Sequence, residues 1–381
     1  MPVDRMLSTP EAEQLLELAR DVADRELEPR VAANVGNDSY PEGLFKILGD
    51  AGLLGLPSPE EYGGGGQPYE VYLQVLEEFG ARWAAVAVAV SVHSLSTHPI
   101  VAYGSDEQKA RLLPDILSGA RVGAYSLSEP QAGSDAAALQ CKAVRTDDGY
   151  RIDGTKSWIT HGGRADFYTL FARTGEGGSG GISCFYVPAE TDGLSFGKPE
   201  RKMGLHGIPT TTAHYDGAVV DADDRIGDEG QGLTIAFSAL DSGRLGIAAI
   251  ATGLAQRALD EAVTYASDRK TFGKPIIEHQ GLGFLLADMA AAVDSARATY
   301  LHAARRRDAG RSYSREASVA KLICTDAAMK VTTDGVQVLG GYGYTEDFPL
   351  ERYMRDAKVM QIFEGTNQIQ RLVISRELAR G

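Results

Sequence analysis

The chain has 381 residues, 43% hydrophobic and 24% charged, an ordinary globular composition with length for two or three domains; disorder as the main state is excluded. A formal charge of −14 argues against a nucleic-acid-binding surface and against attraction to anionic membranes. Cys141, Cys184 and Cys324 are widely spaced and form no CxxC pair, so neither a disulfide framework nor a metal site is expected, and a cytoplasmic setting fits.

Met1-Pro2-Val3-Asp4-Arg5 leads directly into an acidic amphipathic stretch, with no secretory or transit pattern. Ser8 and Glu11 are spaced as a capping box around Pro10, and Leu15, Leu16, Ala19, Val22, Ala23 and Leu27 follow helical spacing, so a first helix is predicted to end near Pro29. The four glycines from Gly63 to Gly66 follow no strand and precede no Lys-Ser/Thr, and read as a flexible turn rather than a phosphate cradle. Helical patterns run over 69–102 and 107–117; the apolar run over 84–92 is too short to cross a bilayer.

The character changes after Gly119. Tyr125-Ser126-Leu127-Ser128-Glu129-Pro130-Gln131-Ala132-Gly133-Ser134-Asp135 reads as a strand opening into a loop able to aim N–H and hydroxyl donors at a polar ligand edge. Asp148-Gly149 and Asp153-Gly154 are hairpin signals, and β patterns continue over 167–172, 182–187 and 213–220. Trp158, within Gly154-Thr155-Lys156-Ser157-Trp158-Ile159-Thr160, fits a core aromatic as readily as a ligand face.

Helical periodicity returns after Gly232. Three long apolar stripes, marked by Ala248 to Ala266, Leu282 to Ala296 and Ala320 to Val331, together with a terminal helix, suit a four-helix bundle. The fold class is therefore α+β: a helical domain over 1–118, a barrel-like or sandwich β domain over 119–226, and a helical bundle over 227–381. No GxGxxG follows a strand, which disfavours a Rossmann nicotinamide site. Asp241-Ser242-Gly243-Arg244 is placed at the start of the first bundle helix. Arg269 and Lys270 fit helix C-terminal charges, and Gly340-Gly341 a helix stop.

The last constellation is Gln361-Ile362-Phe363-Glu364-Gly365-Thr366-Asn367-Gln368-Ile369-Gln370. Thr366 can cap the following helix, leaving Glu364 on the turn before it. Glu364 fits a favourable charge beside a helix N-terminus; it also fits a base whose pKa is raised by apolar neighbours.

Phe363 to Gln370 resembles the catalytic segment of the flavin-dependent acyl-CoA dehydrogenase family. Five further segments resemble that family in the same order: 125–135, 154–160, Asp241-Ser242-Gly243-Arg244, Asp268-Arg269-Lys270-Thr271-Phe272-Gly273, and Gln337 to Tyr344. The resemblance covers nearly the whole chain and is nearest the short-chain and short branched-chain types.

It implies an FAD cofactor and α,β-desaturation of an acyl-CoA thioester, with Glu364 removing the α-proton. Some members carry the base at the position of Gly243 instead, and here only the C-terminal position is acidic. Flavin contacts are implied for Tyr125, Leu127, Ser128, Gly133, Ser134, Trp158, Ile159 and Thr160. The pyrophosphate side falls to Arg269, Thr271, Phe272, Gln280, Gln337, Gly340 and Gly341, the glycine turn coming from a neighbouring subunit. Thr366 and Gln368 complete the cofactor contacts; Ser134, Asp241, Arg244 and Gly365 are implied for substrate.

The resemblance further implies a homotetramer built as a dimer of dimers, an electron-transfer flavoprotein as electron acceptor, and a place in fatty-acid oxidation. The same fold also carries an oxidase or a dehydrogenase of unusual acyl thioesters; a non-catalytic flavin-binding scaffold is the remaining alternative. One segment departs from the family pattern: Leu205-His206-Gly207-Ile208-Pro209-Thr210, whose His206 has no evident carboxylate partner in sequence.

Overall fold

The computed structural model describes residues 3–7 and 9–380. Helix α1 (Pro10–Val22) begins at Thr9, whose hydroxyl accepts from the Ala12 N–H at 3.2 Å; Ser8 of the expected capping box lies outside the described residues. The helix does not stop near Pro29. A π turn over 23–27 passes into α2 (Glu28–Asn37), and Pro29 occupies that helix's first turn, where a missing N–H is best tolerated.

After α3 (Leu44–Asp50) the four glycines fold back on the chain rather than forming a loose turn: Gly65 N–H donates to Gly55 O at 3.0 Å and Gly66 N–H to Ser58 O at 2.9 Å. A Cβ on Gly64 would collide with the Ser58 carbonyl. Helices α4 (Tyr69–Arg82) and α5 (Ala84–Tyr103) are separated only by Trp83, and α6 (Asp106–Leu117) starts with a Ser105–Gln108 capping box. At 20 residues α5 outruns the apolar stretch read from sequence and is long and apolar enough to cross a membrane. Most of it is buried inside the molecule.

The middle of the chain is one eight-stranded mixed sheet: β1 (Gly123–Ser126), β2 (Lys142–Arg145), β3 (Gly149–Thr160), β4 (Phe167–Arg173), β5 (Ile182–Pro188), β6 (Leu194–Phe196), β7 (Thr210–Asp221) and β8 (Arg225–Ile226). The order is β6-β7-β3-β2-β4-β5-β8, with β1 parallel to β4. Asp148-Gly149 does turn β2 into β3. Asp153-Gly154 does not: it lies within β3, paired with Asp216 and Tyr215 next to a bulge at Gly217 of β7, and a Cβ on Gly154 would lie 2.7 Å from Cys141 Cα. The glycine there admits a neighbouring backbone, the other use of a strand glycine. Strands β4 and β5 are buried on both faces. Tyr168, Leu170 and Phe185 fill one apolar cluster with β3 and β7, while Phe167, Phe171 and Tyr186 pack on Ile100, Leu113 and Ile116 of the helices.

Helix α7 (Gly232–Asp268) runs through the core, followed by the small hairpin β9 (Lys270–Thr271) and β10 (Lys274–Pro275), then α8 (Gln280–Asp308), α9 (Ser314–Leu339), α10 (Leu350–Met360) and α11 (Asn367–Ala379). The stripes read from sequence face the core, with Val263, Leu282, Leu285 and Ala327 only half-buried and Ile323 on α9 40% exposed. Like α5, α7 is apolar and mostly buried, a core helix. The helical terminus is split into α10 and α11, both packed on α9, and the split falls at Glu364.

Candidate active site

Two left-handed residues make that split. Ile362 and Phe363 N–H groups close α10 on Val359 O, the Thr366 hydroxyl caps α11 by accepting from Ile369 N–H at 3.2 Å, and between them Glu364 has φ 51° and Gly365 φ 87°. For a residue with a Cβ this conformation costs on the order of 1–3 kcal/mol, so surrounding contacts must hold it. Four do. Gln370 Nε2 donates to the carbonyls of Glu364 (3.2 Å) and Gly365 (2.8 Å), Arg244 Nε reaches Glu364 O at 3.5 Å, and Lys321 Nζ donates to Gly365 O at 2.9 Å.

The turn drives the Glu364 side chain toward α7. Both carboxyl oxygens are buried and make no hydrogen bond among the described residues. They face Gly243: a Cβ there would fall inside van der Waals contact of Oε2, and 3.0 Å from Leu95 Cδ1. Burial pushes the carboxyl up to about 7, against the opposing pull of Lys321 and Arg244. Arg244 is itself oriented by Asp241, 2.7 Å away, and Asp241 by Ser314 at 3.1 Å. Asp241 and Arg244 lie in the third and fourth turns of α7, not at its start as expected from sequence, because the helix already begins at Gly232.

The rings of Tyr69, Tyr72 and Tyr125 complete the surroundings, each hydroxyl held above its ordinary pKa first by burial, with the Glu364 charge contributing. A desolvated carboxylate with no hydrogen-bond donor of its own, titrating near neutrality, is suited to take a proton from a weak carbon acid. The Glu364 N–H also donates to no group among the described residues.

A second set of predicted residues is assembled around a buried ion pair. Lys156 Nζ lies 2.8 Å from Glu129 Oε1 and donates to Leu127 O at 2.8 Å, while the Glu129 carboxylate accepts from the Gln140 and Cys141 N–H groups. Ser128 O accepts from Ser157 N–H at 2.9 Å. The two motif segments are thus tied together. Trp158 is not a core aromatic: it has φ 64° and is 66% exposed, while Ile159 beside it is buried and Thr160 half-buried. Gly133 and Ser134 are exposed, with open space where a Gly133 Cβ would stand. Tyr125 OH donates to Ala236 O at 3.1 Å and so anchors β1 to α7.

A third set is elsewhere. Arg269 and Thr271 line one cavity of about 470 Å³ together with Gly340, Gly341 and Tyr342. Phe272 (φ 52°) stands 96% exposed beside it, and Gln280 and Gln337 are exposed on neighbouring helices. Arg244 and the end of α7 are separated by about 36 Å at 1.5 Å per residue. The chain therefore divides the predicted residues into two distant patches, one with Glu364, Tyr125 and Trp158, the other with Arg269 and Gly340. Thr366, half-buried, and Gln368, exposed, belong to the first.

Lys321, buried beneath the turn with Asn367 and Gln370, belongs to none of the sequence motifs. The available signal was Lys321 itself, a lysine inside the apolar stripe Ala317, Ala320, Cys324 and Ala328. Sequence reading left His206 without a partner, whereas Nδ1 lies 3.5 Å from Asp38 Oδ1 of the end of α2. Nearby, Asp356 accepts from Leu205 N–H at 2.6 Å, so the departing segment is docked at both ends. At the end of α8, Arg307 stacks 3.7 Å over the Tyr69 ring.

The exposed Trp158 and Phe272, the open glycine turns and the arginine-lined cavity fit a flavin dinucleotide held against the chain's surface. A helical domain, a β sheet and a helical bundle around a buried glutamate that has no hydrogen-bond donor among the described residues define a flavoprotein dehydrogenase architecture. The acyl-CoA dehydrogenase N-terminal, middle and C-terminal domain descriptions match residues 9–120, 124–218 and 230–379. An acyl-CoA dehydrogenase of Bacillus subtilis is 45% identical over 375 residues, 98% of this chain and 99% of its own length. The solved butyryl-CoA dehydrogenase of Megasphaera elsdenii superposes with a TM-score of 0.96 at 39% identity, over 99% of this chain and 100% of that one. A chain in a structure described as the electron transferring flavoprotein of Acidaminococcus fermentans matches with a TM-score of 0.97 at 41% identity over the full length of both. The chain belongs to the acyl-CoA dehydrogenase family, a family of flavin-dependent oxidoreductases.

Proposed function

We propose that this protein is an FAD-dependent dehydrogenase that desaturates a short acyl-CoA thioester to the trans-2-enoyl-CoA. The observation that carries the reading is the Glu364 carboxyl, buried without a hydrogen-bond donor and aimed across Gly243. Glu364 takes the α-proton. Its backbone N–H is free to donate to the thioester carbonyl oxygen, where charge develops; such a donor is worth on the order of 3 kcal/mol. When bound, FAD would supply the two-electron acceptor that takes up the β-hydrogen as hydride.

Trp158, Thr160 and the 125–135 loop are proposed to hold the ring system of the cofactor, and Arg269, Thr271, Phe272, Gln280, Gln337 and the Gly340–Gly341 turn its pyrophosphate side. The two patches are too far apart for one cofactor to reach both within one chain. Each complete site then joins the Glu364 patch of one copy to the Arg269 patch of another, which supports an obligate dimer as the unit of a tetramer. Thr366 and Gln368 are placed against the cofactor, and Ser134, Asp241, Arg244 and Gly365 toward the thioester and CoA.

A short acyl group is supported by the butyryl-CoA dehydrogenase likeness and by the buried side chains of Tyr69, Tyr72 and Leu95, which crowd the neighbourhood of Glu364 and Gly243. We place the protein in the cytoplasm, in fatty-acid oxidation, with an electron-transfer flavoprotein as acceptor, the assignment favoured by the Acidaminococcus likeness. The test is Glu364→Gln: acyl-CoA no longer bleaches the flavin, which stays bound. Undiminished bleaching in that variant rejects the reading.

A further inference from the structure

Lys321 lies in the buried stripe of α9 and is fully buried. A buried lysine ordinarily faces a carboxylate, or gives up its proton. Among the described residues this one has no carboxylate within ion-pair distance; its ammonium donates to two neutral oxygens, Gly365 O at 2.9 Å and Asn367 Oδ1 at 2.9 Å. Those oxygens belong to the residue after Glu364 and to the first residue of α11. Asn367 is fixed in turn by donating to Thr325 Oγ1 at 2.9 Å and Asp326 Oδ1 at 2.7 Å, both also on α9. One helix therefore grips both sides of the left-handed Glu364–Gly365 turn, and the grip carries a positive charge.

We infer that Lys321 is a positioning residue for the base: its ammonium holds the turn in the conformation that aims Glu364 across Gly243, and its charge keeps the donor-free carboxylate ionised. The inference rests on the assignment of Glu364 as base. The charged and titratable groups around the pair are Arg244 and Asp241 from α7, Asp326 from α9, Tyr69 and Tyr72 from α4, and Tyr125 from β1, with Arg307 of α8 stacked on Tyr69. Of these, Arg244 acts on Glu364 in the same sense as Lys321, while Asp326 supports the lysine's charge. Burial is the main reason Lys321 is brought down to about 7, with Glu364 and Asp326 opposing the fall and Arg244 adding to it. The lysine and the glutamate thus stabilise each other's charge.

A nearby opposite charge lowers a carboxyl pKa by about 1–3 units, so removing it moves Glu364 upward. The test uses the flavin-loaded oligomer and two readouts. Difference infrared spectroscopy follows the protonated-carboxyl band that disappears in Glu364→Gln, and rapid kinetics follow the pH dependence of flavin bleaching by butyryl-CoA. In Lys321→Gln, which keeps a donor without the charge, both midpoints move up by about one pH unit or more, and bleaching at pH 7 falls about tenfold. Lys321→Arg, which keeps the charge, restores the midpoint. Asn367→Asp leaves the lysine in place and sets a carboxylate against it; it shifts the midpoints the same way as Lys321→Gln, so the inference stays testable where the lysine variants do not fold. Midpoints unchanged in Lys321→Gln or, failing that, in Asn367→Asp, overturn the inference. Wild-type protein that no saturated acyl-CoA bleaches overturns the underlying function instead.

Discussion

Gly243 and Glu364, 121 positions apart in the chain, share a space with no room for a methyl group: a Cβ on Gly243 would overlap Oε2 of the glutamate. The atom it displaces is the end of a flexible side chain, so the fold can absorb part of the change by moving Glu364. Gly243→Ala is expected to cost about 1–3 kcal/mol of stability, since both Glu364 and Leu95 Cδ1 must give way to the added methyl. The rate of flavin bleaching should fall about 100-fold, because a misplaced reacting group costs about that much. Thermal melts beside stopped-flow traces measure both.

The buried carboxyl also predicts a pH signature in stability. Its folded pKa, raised to about 7, lies above the ordinary glutamate value, so the unfolded chain releases the proton first as pH rises. The folded state is then penalised progressively from about pH 4.5 to 7, and fully above pH 7, by about 3 kcal/mol at most. Glu364→Gln removes the penalty. The variant should melt higher than wild type at pH 8 and at nearly the same temperature near pH 4.5; the kcat/KM of the wild type should rise with pH through about 7 as the base ionises.

Glu129→Gln breaks the Lys156 pair, both of whose side chains are almost wholly inaccessible. Leaving a buried ammonium without its counter-charge costs about 3–5 kcal/mol, and the 125–135 and 154–160 segments lose the tie between them. The expected result is a lower denaturation midpoint together with loss of flavin on gel filtration.

Arg269→Gln tests the second patch. An arginine to a pyrophosphate contributes about 1.5–3 kcal/mol through its charge-assisted hydrogen bonds, so FAD affinity should drop about 10- to 100-fold without loss of the helical signal. Equilibrium dialysis of reconstituted apoprotein reads this out directly.

What could be read from sequence was whatever a motif or a period carries. Thr366 as a cap, the three apolar stripes and the Asp148-Gly149 hairpin follow from local chemistry, and the structure has them. What failed depended on partners remote in sequence. Asp153-Gly154 looks like a turn until Cys141 is seen against it, and Pro29 looks like a stop until the preceding π turn is seen to place it in a new first turn. Trp158 was ambiguous because side-chain area says nothing of φ, and its left-handed backbone turns the ring outward. Within the site, Glu364 was legible because its motif is contiguous. Lys321 was not, because its two acceptors lie 44 and 46 residues away and only the fold brings them under one ammonium.

The most direct test is an anaerobic visible-spectrum titration of the purified yellow protein with saturated acyl-CoAs of increasing length. Stoichiometric bleaching by butyryl-CoA, weakening as the acyl chain lengthens, is the predicted result. A flavin that stays fully oxidised through the whole series contradicts the assignment of Glu364 as the base of an acyl-CoA dehydrogenase.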